Sequence, residues 1–184
     1  MTLTETPICN FGEKAKNFNL LSTENRKVSL NDVKGENGTL IMFICNHCPY
    51  VKAIIKDVVQ DVKYLETLGI KSTAIMSNDV KNYPEDSFEN MISFSKFHAF
   101  SFPYVIDDTQ EVAKEYGAVC TPDFFGYNKK LELQYRGRIR ELKNLKPVRK
   151  GDSDLRIAME QISASGKGPT KQIPSMGCNI KWFK

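Results

Sequence analysis

Residues 39–51, Thr-Leu-Ile-Met-Phe-Ile-Cys-Asn-His-Cys-Pro-Tyr-Val, constrain the chain more than any other stretch. The run Thr39–Ile44 carries no charge on either face, which suits a central strand of a parallel or mixed sheet. It passes at once into Cys45-Asn46-His47-Cys48. Behind the cysteines Val51, Ile54, Ile55, Val58, Val59, Val62, Leu65 and Leu68 recur at helical spacing. Lys52, Lys56, Asp57, Gln60, Asp61 and Lys63 lie opposite. Pro49 is tolerated in the first turn of such a helix, and Gly69 ends it. A strand that delivers two cysteines to a helix start places a sulfur where N–H groups and the positive end of the macrodipole stabilise a thiolate.

The rest of the chain supplies a sheet around that junction. Ile70–Ser77 reads as a strand that completes a βαβ unit, and Tyr83-Pro84-Glu85-Asp86 introduces a helix over Asp86–Phe97. Phe102–Ile106 reads as a strand, Asp108–Tyr116 as a helix closed by Gly117, and Asp123–Tyr127 and Leu131–Ile139 as hairpin strands. Asp152–Ser163 is a last helix with Asp152 or Ser153 as its N-cap. The order is that of an α/β sheet in one domain, 1–184, with 1–38 as an N-terminal extension and 165–184 as a C-terminal tail. Two short extended pieces, Phe18–Leu21 and Arg26–Leu30, fall within the extension.

Composition excludes several classes of function. No run approaches the roughly 20 apolar residues of a membrane span, so no membrane partner is expected. The first residues show neither the basic start nor the apolar core of a secretory signal, which leads to the expectation of a cytoplasmic protein. Charge is uneven: residues 1–126 carry 12 basic and 17 acidic residues, whereas 127–184 carry 14 and 5. No aromatics interleave with the basic residues in a nucleic-acid motif, so this excess reads as a solvated face rather than a nucleic-acid site. Five cysteines are too few for a disulfide scaffold, and in a reducing compartment a Cys-x-x-Cys pair is catalytic or metal-binding more often than structural.

In Cys45-Asn-His-Cys48 the N-terminal cysteine of the pair is normally the exposed one, so Cys45 is expected to attack and Cys48 to resolve. His47, when protonated, would stabilise a thiolate and draw the redox potential toward the oxidising end. Half of a zinc site and a pair of buried core thiols are the other readings. No second Cys-x-x-Cys or His-x-x-x-His exists, and neither metal nor cofactor is expected. Thr121-Pro122 is the second signal. A proline opening a strand after a helix and a glycine suits a cis peptide bond, beside which a substrate chain could pair as a short strand. Cys120 and Cys178 are candidate auxiliary thiols, and Trp182 is expected to anchor the tail through buried apolar area.

The chain resembles the thioredoxin-fold redoxins, the broad group of thiol–disulfide oxidoreductases that includes the alkyl hydroperoxide reductase/thiol-specific antioxidant proteins. The resemblance lies in Phe18-Asn-Leu20, Val28-Ser-Leu30, Leu40–Ile44, Cys45–Val51, Phe102–Asp107, Tyr116–Phe125, Tyr135–Arg138 and Pro174–Trp182. It implies a central mixed sheet flanked by helices, an N-terminal extension, an active-site dithiol at Cys45 and Cys48, and a cis-Pro122 packed against that dithiol. It further implies a disulfide-containing protein or small-molecule substrate, an outside thiol reductant, and a role in antioxidant defence or redox homeostasis. Two departures stand out. In the register that makes Cys48 peroxidatic, Ile41 and Cys45 replace the Pro and Thr of the peroxiredoxin motif Pro-x-x-x-Thr-x-x-Cys, leaving Arg136 or Arg138 to supply a cation. Ile44 and Asn46-His47 replace the Trp and Gly-Pro of thioredoxin.

Overall fold

The structure, a computed structural model, describes residues 2–184. In chain order the elements are β1 (Leu3–Glu5), β2 (Asn19–Ser22), β3 (Lys27–Ser29), β4 (Gly38–Phe43), α1 (Pro49–Thr67) and β5 (Ile70–Met76). A 3-10 turn at Pro84–Asp86 precedes α2 (Phe88–Phe97), β6 (Tyr104–Ile106), α3 (Glu111–Tyr116), β7 (Cys120–Thr121), β8 (Asp123–Tyr127) and β9 (Leu133–Arg136). A small hairpin, β10 (Leu142–Lys143) and β11 (Lys146–Pro147), leads to α4 (Asp154–Ser165) and β12 (Met176–Asn179).

Seven strands form the main sheet in the order β3-β2-β6-β5-β4-β8-β9. β4, β5 and β6 run parallel, β8 joins β4 antiparallel, and β2 joins β6 antiparallel. This is the mixed sheet that the resemblance implies. β4 is uncharged on both faces because both are covered. Leu40, Met42 and Ile44 face a core with Ile54, Val58 and Val62 of α1 and Leu155, Met159 and Ile162 of α4. Ile41 and Phe43 face a second core with Val112 and Tyr116 of α3 and Phe18, Val28 and Leu30 of the N-terminal extension. Each such buried side chain contributes about 1.5–3 kcal/mol. The extension is therefore part of the fold's second core rather than an appendage.

Several boundaries move for local reasons. α2 starts at Phe88 rather than Asp86, since Ser87 is its N-cap and accepts from the Asn90 N–H at 3.3 Å. α3 starts at Glu111, because Gln110 takes a left-handed φ of 64° and the Asp107 carboxylate accepts from the Ala113 N–H at 2.9 Å. β9 begins only at Leu133, since Leu131, at φ 58°, still belongs to the turn from Asn128. Trp182 does not anchor the tail by burial: it is 37% exposed. Gln110 holds the tail instead, donating to the Lys181 carbonyl at 2.8 Å and accepting from the Phe183 N–H at 2.8 Å.

Ser153 is the N-cap of α4. Its Oγ accepts from the Arg156 N–H at 2.9 Å and donates to the buried Asp61 carboxylate, whose acidity burial already weakens. Ser153→Ala removes both bonds and is expected to cost about 2 kcal/mol in equilibrium urea unfolding. A loss below about 0.5 kcal/mol would show that neither bond matters.

Candidate active site

The dithiol sits where the register of β4 and β8 meets the start of α1. β4 pairs with β8 so that Phe43 lies opposite Asp123, which carries Thr121 and Pro122 up beside Cys45. The Thr121–Pro122 bond is cis, as expected from the sequence. Thr121 Oγ1 lies 3.4 Å from Cys45 Sγ, and Cys48 Sγ lies 3.2 Å from the Thr121 carbonyl oxygen. Cys48 is the N-cap of α1, with φ −63° and ψ 123°, and Pro49 follows it in the first turn.

The expectation of an exposed Cys45 is overturned, because Cys45 is 1% exposed and Cys48 fully covered. Cys45 lies two residues beyond the end of β4 and is buried in the core formed with α1 and α4. Acidity also falls on the other sulfur. The Cys48 thiol is brought down to about 5. The hydrogen bond from Cys45 lowers it most, burial opposes, and Cys178 Sγ–H and the Val51 and Cys178 N–H groups add to the lowering. Cys45 is held well above its ordinary value by the shared hydrogen bond with Cys48, by burial and by the negative charge of Asp86. Of the two sulfurs, Cys48 is the one made more acidic, and it sits at the positive end of a 19-residue helix.

Asp86 organises the loop between the cysteines. It is fully buried, and its Oδ1 accepts from the Asn46 N–H at 2.8 Å and the His47 N–H at 3.2 Å. Its Oδ2 meets His47 Nδ1 at 2.6 Å and accepts from Asn78 Nδ2 at 2.8 Å. Burial would raise the Asp86 carboxyl, but the bonds from His47 and Asn78 outweigh it and hold it below the ordinary range. The same bond raises His47. The imidazole stacks on Tyr83, with centroids 5.8 Å apart and planes within 9°. His47 is thus paired with a carboxylate rather than a free cation, and the Cys48 charge adds to raising it. Its Nδ1 is 3.9 Å from Cys45 Sγ, and the carboxylate neutralises its charge.

Cys45, His47 and Asp86 place ligand atoms within 4.8 Å of one another, a spacing a metal ion could use. Both Asp86 oxygens and His47 Nδ1 are already spent on the loop's hydrogen bonds, so this set reads as scaffolding. Asp86 lies 39 residues from His47, and only the bend made by Tyr83-Pro84 marked its surroundings in the sequence.

The two candidate auxiliary thiols part company. Cys120 Sγ points to the Pro122 carbonyl oxygen at 3.7 Å, and burial pushes its thiol far above the ordinary value. Cys178 Sγ lies 3.0 Å from Cys48 Sγ. Its strand, β12, pairs antiparallel with β7, Cys178 opposite Thr121 and Asn179 opposite Cys120. The backbone edge beside the cis-proline, expected to be open to a substrate chain, is therefore occupied by the tail. Neither arginine reaches the sulfurs. Arg136 bonds Asp123 at 2.9 Å and the Gly117 carbonyl at 2.8 Å, and Arg138 bonds Asp154 at 2.8 Å.

Residues 11–142 match the model of the AhpC/TSA family. The chain is similar over its full length to an uncharacterized conserved protein from Geobacillus kaustophilus, with 39% identity, TM-score 0.94 and 97% of that chain covered. It is similar to a hypothetical protein from Sinorhizobium meliloti 1021, with 34% identity, TM-score 0.90 and 99% of each chain covered. The fold is shared with the thioredoxin domain of a thiol-disulfide oxidoreductase from Bacteroides vulgatus, at 17% identity and TM-score 0.58, covering 73% of this chain and 89% of that one. A search of curated proteins finds no match. Among the described residues no helix is long and apolar enough to cross a membrane.

Proposed function

We propose that this chain, which belongs to the AhpC/TSA family, is a thiol–disulfide oxidoreductase that cycles between the Cys45/Cys48 dithiol and its disulfide. The observation that carries the reading is a pair of cysteines at the start of α1 gathered on Thr121, whose Oγ1 lies 3.4 Å from Cys45 Sγ and whose carbonyl oxygen lies 3.2 Å from Cys48 Sγ, the second sulfur brought down to about 5.

In this mechanism the Cys48 thiolate attacks one sulfur of a substrate disulfide. The substrate's S–S bond breaks, its other sulfur leaves as thiolate, and Cys48 keeps a mixed disulfide. Cys45 gives up its proton, attacks the Cys48 sulfur and expels the second substrate thiolate, closing the Cys45–Cys48 disulfide. Two electrons have then passed to the substrate, and an outside thiol returns the pair to the reduced state. Thr121 Oγ1 and the Asp86-fixed loop hold Cys45 in place for its attack.

A cleft of about 290 Å³ opens between Tyr50, Ile54, Pro122, Ile139, Ile173 and Met176, flanking the first turn of α1 and the cis-proline. The charged Glu5, Arg138, Arg140 and Glu141 line it as well, and this mix of apolar and charged walls suits a peptide segment around a disulfide. The complete cover over both sulfurs favours a second reading, a hydroperoxide as a small oxidant that would leave a sulfenic acid on Cys48. Against it, Arg136 is paired with the buried Asp123, and Arg138 and Arg140, which line the cleft, are paired with Asp154 and Asp57.

Parallel assays with a thiol reductant separate the two. Turnover of a peptide disulfide that exceeds hydroperoxide consumption by at least about tenfold is expected. The opposite ratio would establish the peroxidase reading, and turnover of neither would reject both.

A further inference from the structure

β12 is held against the dithiol from every side. β1 flanks its outer edge, pairing Leu3 with Cys178 and Glu5 with Met176, and β7 flanks its inner edge. Ser175 Oγ donates to the Pro122 carbonyl at 2.7 Å, and the Lys181 N–H donates to Asn78 Oδ1 at 2.8 Å. Asn78 is also the residue that donates to Asp86, so the tail and the Cys45–Cys48 loop share one anchor. Gly177 comes so close to β7 that a Cβ there would stand 2.0 Å from the Thr121 carbonyl oxygen. This framework sets Cys178 opposite Thr121 with its Sγ 3.0 Å from Cys48 Sγ, a gap that must close by about 1 Å to form a disulfide.

A chain pairing beside the cis-proline with a sulfur over Cys48 is the geometry an extended disulfide substrate would need, and the tail already has it. We propose that Cys178 is a third redox thiol, which exchanges with the Cys45–Cys48 disulfide to give a Cys48–Cys178 disulfide. The inference rests on the redox reading of the dithiol.

In the exchange, Cys178 loses its proton and attacks Cys48 Sγ. The Cys45–Cys48 bond breaks as the Cys48–Cys178 bond forms, and Cys45 leaves as thiolate and takes up the proton. One disulfide is consumed and one is made, so no further oxidant enters. The product staples β12 across Cys48 and frees Cys45.

The test oxidises the protein with glutathione disulfide, quenches in acid, alkylates, digests and identifies cross-linked peptides by mass spectrometry. In Cys45→Ser, Cys48 takes glutathione and Cys178 displaces it, so most molecules are expected to carry a Cys48–Cys178 cross-link. Glutathione retained on Cys48 with Cys178 alkylated would overturn the proposal. Gly177→Ala pushes β12 off β7 and is expected to lower the Cys48–Cys178 yield by at least about threefold while the Cys45–Cys48 cross-link persists. An unchanged yield there would count against the proposal. Cys178→Ser keeps the earlier reading separate: absence of a Cys45–Cys48 cross-link in it would reject the dithiol cycle, while Cys45→Ser still decides the role of Cys178.

Discussion

Cys48→Ser is expected to abolish disulfide turnover, by about a thousandfold or more, and to remove the chain's low-pH thiolate. The thiolate's ultraviolet absorbance reads the second effect without requiring a reagent to reach a covered sulfur. The unmodified protein should show one equivalent of thiolate appearing with a midpoint near the value of about 5 at which Cys48 is held, and Cys48→Ser should show none until alkaline pH. The size of the effect on turnover does not come from faster attack. At pH 7 a thiol at about 5 is about 99% ionised against about 3% for one at about 8.5. Its intrinsic nucleophilicity falls by a similar factor, so the two nearly cancel. The gain lies in Cys48 as a leaving group, which speeds release of the Cys45–Cys48 disulfide to the outside thiol. Cys45→Ser should differ in kind, stalling as a mixed disulfide on Cys48 or passing to Cys178. A thiolate midpoint that stays near 5 in Cys48→Ser and is lost in Cys45→Ser would reverse the two roles.

Asp86→Ala is expected to destabilise the fold by about 3 kcal/mol near pH 6, a drop of about 6–12 °C in melting temperature. The substitution strips a buried acceptor from the Asn46 and His47 N–H groups and from Asn78, and leaves the His47 ring without its counter-charge. The pH dependence follows from the directions of the two shifts. His47 is raised in the fold, so its contribution is complete below its unfolded value of about 6.5 and is lost as pH rises through the folded one. Asp86 is lowered, so its contribution is complete above about 3.9 and is lost as pH falls through the folded value. The ion pair contributes fully between those two unfolded values. Urea unfolding at pH 6 and pH 9 should therefore show a larger penalty at pH 6, with part of it remaining at pH 9, where Asp86 still accepts from the backbone. An equal penalty at both pH values would mean that the ion pair adds nothing to the backbone hydrogen bonds.

The central strand, the helix behind the cysteines and the cis-proline were legible in the sequence because each has a local cause. These are an uncharged run, a 3.6-residue repeat ended by Gly69, and a proline after a helix-closing glycine. β1 and β12 were not legible. They are three and four residues long, carry no alternation, and exist only because each edge finds a distant partner, Leu3 pairing with Cys178 and Cys178 with Thr121. Within the site, the pair Cys45/Cys48 and Thr121-Pro122 could be read directly. The location of the acidic sulfur could not, since it depends on the Cys178 N–H and sulfur reaching Cys48 and on the Asp86 charge beside Cys45. Asp86 itself looked like a helix-start residue, and its work on the loop appears only when the 3-10 turn at Pro84–Asp86 places it under Asn46 and His47.

The central claim is that Cys45 and Cys48 form a redox couple in which the reduced Cys48 thiolate is stabilised. A redox titration tests it most directly: the protein is equilibrated in thiol–disulfide buffers of stepped potential and the Cys45–Cys48 disulfide is quantified at each step. The account predicts a two-electron transition with a midpoint above about −270 mV, the value of thioredoxin, because a stabilised thiolate favours the reduced form. A midpoint at or below that value, or a Cys45 and Cys48 that stay reduced across the range, would contradict it.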